Sequence, residues 1–292
     1  MCGRTCLTLG PDEVKYACQY KSRKDEKQKT PEFRQEFNCG KNYQPSTNIC
    51  PTDVTPVLIS SNHVSGEPTD SSDRVLVPMM WGMIPFWHTG DYKNHKLTTN
   101  NCRLETMKTS KMYKRSFEKG QRCVVVCEGF YEWQTTKELK SSERPAYYIY
   151  MPQNKSVEIT DAKTFNGGKD VNLLKMAGLF DVWTDQNGDD MYSYTVITFE
   201  SDDKFSWLHH RSPAILETEE QLADWLDYKR VPMDDAMKCL RPATSLKWHQ
   251  VSNIVNNSRN KSDECNKPIK DGKRKSSNPL MDNWLIKKKK SE

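Results

Sequence analysis

The sequence predicts an α+β fold in which β-strands predominate. Apolar, β-branched runs of strand length recur along the chain and are separated by turns rich in Gly, Pro, Asn and Asp, whereas helical patterns are few and short. The segment RCVVVCEGFYEW at 122–133 gives the strongest strand signal. Hydrophobic residues make up 35% of the 292 residues, which is enough for one large packed domain.

The first part of the chain is predicted to contain a helix, two loops and a strand. Residues 11–20 open with a proline and two acidic residues, as the first turn of a helix commonly does. Residues 21–31 are highly charged and residues 60–73 consist of turn formers, so both are predicted surface loops. Residues 74–85 are apolar and end in Gly and Pro turns, so we expect a strand there.

The second part continues the β-rich pattern and adds two helices. Further strands are predicted at 122–133, 144–151, 173–180 and 191–199, with turns at NGGKD (166–170) and DQNGDD (185–190). Helices are predicted at 218–228, where Thr218 and Gln221 form a capping box, and at 232–240.

The polar segment that begins at Ser258 predicts a disordered basic tail. Residues 258–292 contain eleven Lys and Arg against five Asp and Glu, so the preceding residues carry a net charge near −1 although the whole chain carries +5. We therefore predict a domain at 1–257 and a tail at 258–292 with a short apolar island. A nucleic-acid surface on the domain would have to be a local patch of arginines.

The composition argues against a membrane-spanning, secreted or metal-binding protein. No apolar run approaches the roughly 18 residues of a membrane span, and residues 1–25 lack the apolar core of a signal peptide. The ten cysteines are therefore expected to be reduced thiols. Cys123 and Cys127 flank a Val-Val-Val run typical of a buried strand, and no second close pair completes a zinc site, so we expect neither metal nor cofactor.

Cys2 is the first candidate for chemistry, because removal of Met1 would leave an α-amine and a thiol on adjacent carbons. The α-amine has a reference pKa of about 7.7–8.0, so part of it is neutral at pH 7 and can add to an aldehyde. The thiol can then close on the same carbon to give a thiazolidine. The thiolate could instead attack an ester or amide, as in cysteine hydrolases, or the position could be accidental.

The segment EGFYEW supplies Glu128 and Glu132 around a glycine and two aromatic residues. Carboxyl groups among aromatic side chains have raised pKa values, which suits a general acid or base near neutral pH. A glutamate exposed at a strand end is the alternative.

Two other segments carry paired polar side chains. Asn101, Arg103 and Glu105 alternate and would share one side of an extended chain. His209 and Arg211 precede a proline and an apolar run, a pattern that suits a proton shuttle and a phosphate contact. A polar loop and a structural histidine are the alternatives.

The aromatic segment WGMIPFW at 81–87 could stack with bases of single-stranded DNA, and Tyr43 and Pro45 could line the same groove. A packed aromatic turn is the alternative interpretation.

Taken in order, these segments resemble the SOS response-associated peptidase (SRAP) family. The motifs that carry the resemblance are MCGR, WGMIPFW, NCRLET, RCVVVCEGFYEW, MAGLFDVW, SYTVITFES, HHRSPAIL and VSNIVNNSR, which extend from Cys2 to about Arg259. The resemblance is greatest to the eukaryotic branch, whose members process abasic sites. It implies a β-rich fold with barrel-like antiparallel sheets and peripheral helices, and single-stranded DNA containing abasic sites as the partner.

The resemblance also implies roles for individual residues. Cys2 matches the nucleophile, which forms a covalent thiazolidine cross-link after Met1 removal, and Asn101, Glu132 and His209 match the other catalytic positions. Phosphate-contacting positions correspond to Arg4, Arg103 and Arg211, and groove positions to Trp81 and Pro45. Ser212 and Cys102 depart from the residues usual in the family.

The tail suggests a partner and a cellular location, and two other activities remain as alternatives for the domain. Residues 280–286, LMDNWLI, loosely resemble a segment that binds the replication sliding clamp, and the GKRK and KKKK runs predict nuclear import, which would place the protein in the nucleus at replication forks. The alternatives to a slow or suicide abasic-site enzyme are a cysteine peptidase, acting on itself or on other proteins, and a non-covalent reader of modified cytosine.

Overall fold

The computed structural model describes residues 2–36, 38, 41–65 and 69–269. The strands are β1 Thr5–Leu7, β2 Tyr20–Lys21, β3 Gln28–Lys29, β4 Glu32–Phe33, β5 Ser46–Ile49, β6 Val54–Ser60, β7 Arg74–Trp81, β8 Asn101–Arg103, β9 Arg122–Cys127, β10 Gly129–Trp133, β11 Ala146–Tyr150, β12 Leu174–Thr184, β13 Asp190–Glu200, β14 Arg211–Pro213 and β15 Lys247–Val251. The helices are α1 Pro11–Ala17, α2 Lys114–Glu118, α3 Glu219–Leu226 and α4 Met233–Met237. Short 3-10 turns lie at Ser61–His63, Tyr92–Asn94, Leu104–Thr106, Ser141–Glu143, Ala162–Thr164, Asn166–Gly168 and Asn253–Asn256.

Five strands close into a barrel in the order β13-β12-β9-β6-β7. All neighbouring pairs are antiparallel except the closing pair, in which β7 and β13 run parallel with Met80 opposite Ser193 and Trp81 opposite Tyr194. The barrel strands are almost entirely buried, as expected from their continuous apolar sequences. The predicted β-rich fold with barrel-like sheets is therefore confirmed, with one parallel pair as the closure.

A second, five-stranded sheet packs beside the barrel in the order β15-β11-β10-β1-β5. It contains the N-terminal strand β1, which pairs antiparallel with β10 on one side and with β5 on the other. The first residues of the chain are therefore held between strands that lie about 40 and 125 positions further along.

The segment 122–133 was predicted as a single strand, and the structure divides it into two. β9 belongs to the barrel and β10 to the five-stranded sheet, and Glu128 is the residue between them. The backbone N–H of Glu128 donates to the carbonyl of Cys6 at 2.9 Å. The chain thus changes sheets at this glutamate, because β10 pairs with β1 instead of continuing in the barrel.

The helical predictions are confirmed with shorter bounds. α1 ends at Ala17 within the predicted 11–20, and α3 lies within the predicted 218–228. The Thr218 hydroxyl accepts from the backbone N–H of Gln221 at 3.2 Å, and the Gln221 side chain accepts from the N–H of Thr218 at 3.1 Å. This is the capping box that the sequence predicts.

The predicted tail does not begin at Ser258. Cys265 is fully buried, Pro268 forms a bridge with Val251, and the carbonyl of Ser262 accepts a hydrogen bond from the Thr47 hydroxyl at 3.0 Å. Residues 258–269 thus pack on the domain, since a polar segment can be ordered by hydrogen bonds to a folded surface. The apolar island at 280–286 lies outside the described residues.

Among residues 2–36, 38, 41–65 and 69–269, no helix is long and apolar enough to cross a membrane. The same residues contain no cluster of three or more His, Cys, Asp or Glu side chains arranged to hold a metal ion. Cys123 and Cys127 are both buried in β9.

Candidate active site

Cys2 lies at the N-terminal end of the five-stranded sheet and is fully buried in this chain, which retains Met1. Thr5 pairs with Phe130, and the N–H of Tyr131 donates to the carbonyl of Arg4 at 2.9 Å. The Glu132 carboxyl lies near enough to Cys2 for its charge to act on the thiol. Burial and then the Glu132 carboxylate raise the pKa of the Cys2 thiol, so the sulfur is protonated here.

Asn101 holds the backbone of Cys2 from the barrel side. Its Nδ2 donates to the Cys2 carbonyl at 2.7 Å, and Nδ2 of Asn100 lies 3.4 Å from the same oxygen. β8 is fixed by its parallel pairing with β13 and by the Tyr113 hydroxyl, which donates to the Asn101 carbonyl at 3.1 Å. The Oδ1 atom of Asn101 is closed off from solvent and has no hydrogen-bond partner among the described residues. This amide can therefore accept one further hydrogen bond beside Cys2.

Glu132 is buried on β10, with 2% of its surface exposed. Burial raises the pKa of its carboxyl, and the backbone N–H of Trp133, 3.3 Å from Oε1, lowers it by a smaller amount. A carboxyl with a raised pKa can donate a proton near neutral pH as well as accept one.

His209 is also buried, between Leu208 and β14. Nδ1 lies 2.9 Å from the backbone nitrogen of Arg211 and 3.2 Å from its carbonyl oxygen, and the tautomer that accepts the shorter of these hydrogen bonds carries its proton on Nε2. The pKa of His209 is lowered to about 4, mainly by burial, with smaller contributions from the charges of His210 and Arg144. The ring is consequently neutral at physiological pH.

Glu132 and His209 line one surface pocket of about 490 Å³. The other lining residues are Trp133, Thr135, Ser141, Ser142, Arg144 and Asn256. Cys2 does not line the pocket, although it lies near enough to Glu132 for that carboxyl to raise the pKa of its thiol. The structure thus brings three of the four predicted catalytic positions into contact with Cys2 or with this pocket: Asn101, Glu132 and His209.

The three arginines predicted to contact phosphate occupy different environments. Arg211 is buried, and its guanidinium makes a bidentate ion pair with Glu105 at 2.8 and 2.9 Å. Arg4 is half-buried and donates to Asn48 Oδ1 at 2.8 Å. Arg103 alone is exposed. Arg211 is thus already neutralised by a carboxylate, which could not be read from its spacing to His209.

The two predicted groove residues do not lie in the pocket of Glu132 and His209. The ring of Trp81 is fully buried, and its Nε1 donates to the carbonyl of Asn100 at 3.0 Å, so in this structure it supports the Asn101 segment and cannot stack with a base. Pro45 is exposed but lines a different cavity, of about 460 Å³. The exposed aromatic side chains of the WGMIPFW segment are Phe86 and Trp87.

Sequence reasoning missed Arg144 and the serines at 141 and 142. The motif that contains Arg144 was read only as the start of a strand. The pairing of β10 with β11 is what would have revealed them. Because Trp133 lies opposite Ala146, the loop that precedes Ala146 is next to the FYEW motif.

Comparison with known proteins identifies relatives across most of the chain. The profile of the SOS response associated peptidase (SRAP) family matches residues 1–258. The chain is 45% identical over 270 residues to the abasic site processing protein HMCES of Xenopus tropicalis, covering 91% of this chain and 77% of that one. It is 40% identical over 296 residues to HMCES of Gallus gallus, covering 98% and 84%. The abasic site processing protein YoqW of Bacillus subtilis is 28% identical and covers 76% and 85%.

Two solved structures share the fold. A crystal structure of a protein from Bacteroides thetaiotaomicron superposes with a TM-score of 0.64 at 20% sequence identity, covering 91% of this chain and 97% of that one. A protein from Bordetella bronchiseptica superposes with a TM-score of 0.59 at 19% identity, covering 86% and 100%. At these identities the likeness concerns the fold alone.

Proposed function

Because the chain belongs to the SOS response associated peptidase (SRAP) family, we propose that it processes abasic sites in single-stranded DNA by covalent capture at Cys2. The names of its relatives support the substrate, since they are called abasic site processing proteins. The observation that carries the covalent part is the hydrogen bond from Asn101 to the Cys2 carbonyl, beside a thiol that the buried Glu132 carboxyl is near enough to influence.

The first step is removal of Met1, which lies outside the described residues. Hydrolysis of the Met1–Cys2 amide consumes one water and frees the α-amine of Cys2. Two routes are compatible with the site. An aminopeptidase could act on the chain, or the Cys2 sulfur could attack the Met1 carbonyl with Glu132 as the acid and base.

The second step joins the protein to the ring-opened abasic sugar. The Cys2 amine adds to the C1′ aldehyde to give a carbinolamine, which loses one water to give a Schiff base. The Cys2 S–H then adds across the C=N bond, the sulfur bonding to carbon and the proton ending on nitrogen. The product is a thiazolidine, and the net reaction releases one water. With the aldehyde consumed, the strand is protected from β-elimination.

The buried residues around Cys2 supply the proton transfers. Asn101 can orient the freed amine through its unpaired Oδ1, which requires no ionisation. Glu132, with its raised pKa, can protonate the hydroxyl that leaves the carbinolamine and then accept a proton during ring closure. His209 is neutral and can donate from Nε2 in the same pocket.

Intact mass spectrometry tests the proposal directly. The purified protein is incubated with a single-stranded oligonucleotide that carries one abasic site, and the attachment point is mapped by proteolysis. We expect one adduct on des-Met Cys2, equal in mass to the sum of both components less one water. Cys2→Ala should abolish this adduct, whereas Cys102→Ala, which removes a buried thiol next to Asn101, should retain it.

An adduct that persists in folded Cys2→Ala protein would contradict capture at Cys2. Absence of any adduct from folded protein lacking Met1 would overturn covalent capture and leave the peptidase and the non-covalent reader as alternatives. Turnover of peptides by protein that retains Met1 would favour the peptidase, because that chemistry does not need a free α-amine.

The location and a clamp contact are further parts of the proposal. We place the protein in the nucleus at replication forks, on the basis of the basic runs and the 280–286 segment of the sequence. Both lie outside the described residues, and pull-down of the sliding clamp by the full chain but not by a chain ending at residue 269 would test the contact.

A further inference from the structure

Arg144 is the one guanidinium that lines the pocket of Glu132 and His209 among the residues described. It follows the 3-10 turn Ser141–Glu143 and precedes β11. The β10–β11 register fixes its backbone there, since Trp133 pairs with Ala146 and the N–H of Gln134 donates to the Pro145 carbonyl at 2.9 Å. Its place in the pocket is therefore set by the same hairpin that carries Glu132.

The Arg144 side chain has no counter-ion within the described part of the chain. No carboxylate lies within 4.0 Å of its guanidinium there, and its Nε is closed off from solvent without a hydrogen-bond acceptor. Arg211, by contrast, is ion-paired with Glu105, and the Arg4 guanidinium donates to Asn48 and to the Val255 carbonyl, although the Nε atoms of both also lack acceptors. An uncompensated, partly buried guanidinium beside a reaction pocket is suited to bind an anion that enters with the substrate.

The surroundings of Arg144 favour a phosphodiester as that anion. The hydroxyls of Ser141 and Ser142 line the same pocket and can donate to phosphate oxygens. The positive charge of Arg144 also reaches His209, whose pKa it lowers after the larger effect of burial. The acidic side chain in the pocket lining is Glu132, the proposed acid and base.

We propose that Arg144, with Ser141 and Ser142, binds the DNA phosphodiester adjacent to the abasic sugar and so positions the aldehyde at Cys2. This inference rests on the proposed function and names the phosphate contact of that same site. Arg144 is a positioning residue, because it contacts the strand next to the reacting carbon and takes no part in bond formation. In this structure the Arg211 guanidinium is paired with Glu105.

Binding to an unreactive substrate tests the contact independently of the covalent chemistry. The probe is a fluorescent single-stranded oligonucleotide with a tetrahydrofuran abasic analogue, which has no aldehyde. We expect Arg144→Gln to weaken binding roughly tenfold, as for loss of one charge-assisted contact. The slope of log affinity against log salt should become less steep by about 0.7, the value for one phosphate of a single strand.

A neutral linkage identifies the phosphate itself. Replacing the phosphodiester on the 5′ or the 3′ side of the analogue by a methylphosphonate should weaken wild-type binding at one of the two positions. The same replacement should have little additional effect on Arg144→Gln, because the two changes remove one interaction. Arg144→Lys should recover part of the affinity. Arg241→Gln, which removes an exposed arginine outside the pocket lining, should bind as the wild type does.

Two results would overturn the inference. One is folded Arg144→Gln protein with wild-type affinity and salt slope. The other is additive effects of the Arg144 substitution and both methylphosphonates. If Arg144→Gln does not fold, Arg144→Lys combined with the methylphosphonates supplies the same test. The binding and the cross-linking experiments can give different answers. If the Arg144 and methylphosphonate effects are coupled but the aldehyde oligonucleotide forms no adduct, the phosphate contact stands and covalent capture is rejected.

Discussion

Glu128 and Glu132 are four residues apart, are both buried, and have pKa values that burial raises, yet their surroundings differ. Glu128 accepts hydrogen bonds from the backbone N–H groups of Thr8 and Leu9 at 2.6 and 3.2 Å. Glu132 lines the reaction pocket. The sequence marks both carboxyls as candidates for proton transfer; we propose that role for Glu132, because the backbone N–H groups of Thr8 and Leu9 already bind Glu128.

Glu132→Gln tests the proton-transfer role at the residue scale. The amide preserves shape but cannot exchange a proton, so we expect cross-linking to slow by about 10²-fold or more while binding of the tetrahydrofuran oligonucleotide is retained. Single-turnover cross-linking measures the rate. The control is Glu138→Gln, at an exposed position, which should react as the wild type does. A Glu132→Gln variant with the wild-type rate would remove Glu132 from the mechanism.

His209 predicts a pH dependence of stability. Burial lowers its pKa to about 4 in the folded state, against about 6.5 in an unfolded chain. Between these values the unfolded state binds more protons, so the free energy of unfolding falls as pH drops from about 6.5 to 4. Burial also lowers the pKa of His63 to about 4, so it contributes in the same window.

Denaturant unfolding of His209→Gln across pH 4–7 measures the His209 contribution. The variant should lose stability less steeply on acidification than the wild type, because one titrating group is gone. His63→Gln should show a similar reduction in slope. An unchanged slope in both variants would show that neither imidazole is held neutral by the fold.

At the scale of elements, the site depends on the junction between β9 and β10. β9 is a barrel strand, β10 pairs with β1, and the carboxyl of Glu128 binds the chain just after β1. Its Oε2 also lies 3.3 Å from the sulfur of Cys6. This one side chain therefore fixes the N-terminal strand against the point where the chain leaves the barrel.

Glu128→Ala should destabilise the protein strongly for this reason. It leaves the N–H groups of Thr8 and Leu9 buried without acceptors, at about 1–3 kcal/mol each, so the expected loss is roughly 2–6 kcal/mol of unfolding free energy. Glu128→Gln keeps an acceptor oxygen and should lose less. Equilibrium unfolding compares the two. Equal stability of Glu128→Ala and the wild type would mean that β1 is held by its strand pairing alone.

At the scale of the whole molecule, the pocket lies where the five-stranded sheet meets the barrel. β10 supplies Glu132 from the sheet, and the turn before β14, which pairs with the barrel strand β13, supplies His209; β8, which also pairs with β13, carries Asn101 against Cys2. The last described residues complete the same sheet, since Ile269 donates to the carbonyl of Gln250 at 3.1 Å. The packed domain therefore extends past the predicted boundary at residue 257.

Two truncated chains test where the domain ends. A chain that ends at 269 should melt like the full chain. A chain that ends at 257 loses the Ser262 acceptor of Thr47, the Asn260 acceptor of Asn48 and the buried Cys265. Two lost hydrogen bonds are worth about 2 kcal/mol, which lowers the melting temperature by about 4–8 °C for a domain of this size. Equal melting temperatures would restore the boundary at 257.

The sequence by itself determined the strand-rich fold, the capping box of α3 and the set of reactive side chains, because these depend on local patterns and residue chemistry. Only the tertiary structure decided which side chains are available to a substrate. Trp81 is buried, Arg211 is paired with Glu105, and the Nε atom of Arg144 has no hydrogen-bond acceptor among the described residues. These outcomes depend on pairings between segments more than 100 residues apart, such as β1 with β10, and no local pattern encodes them.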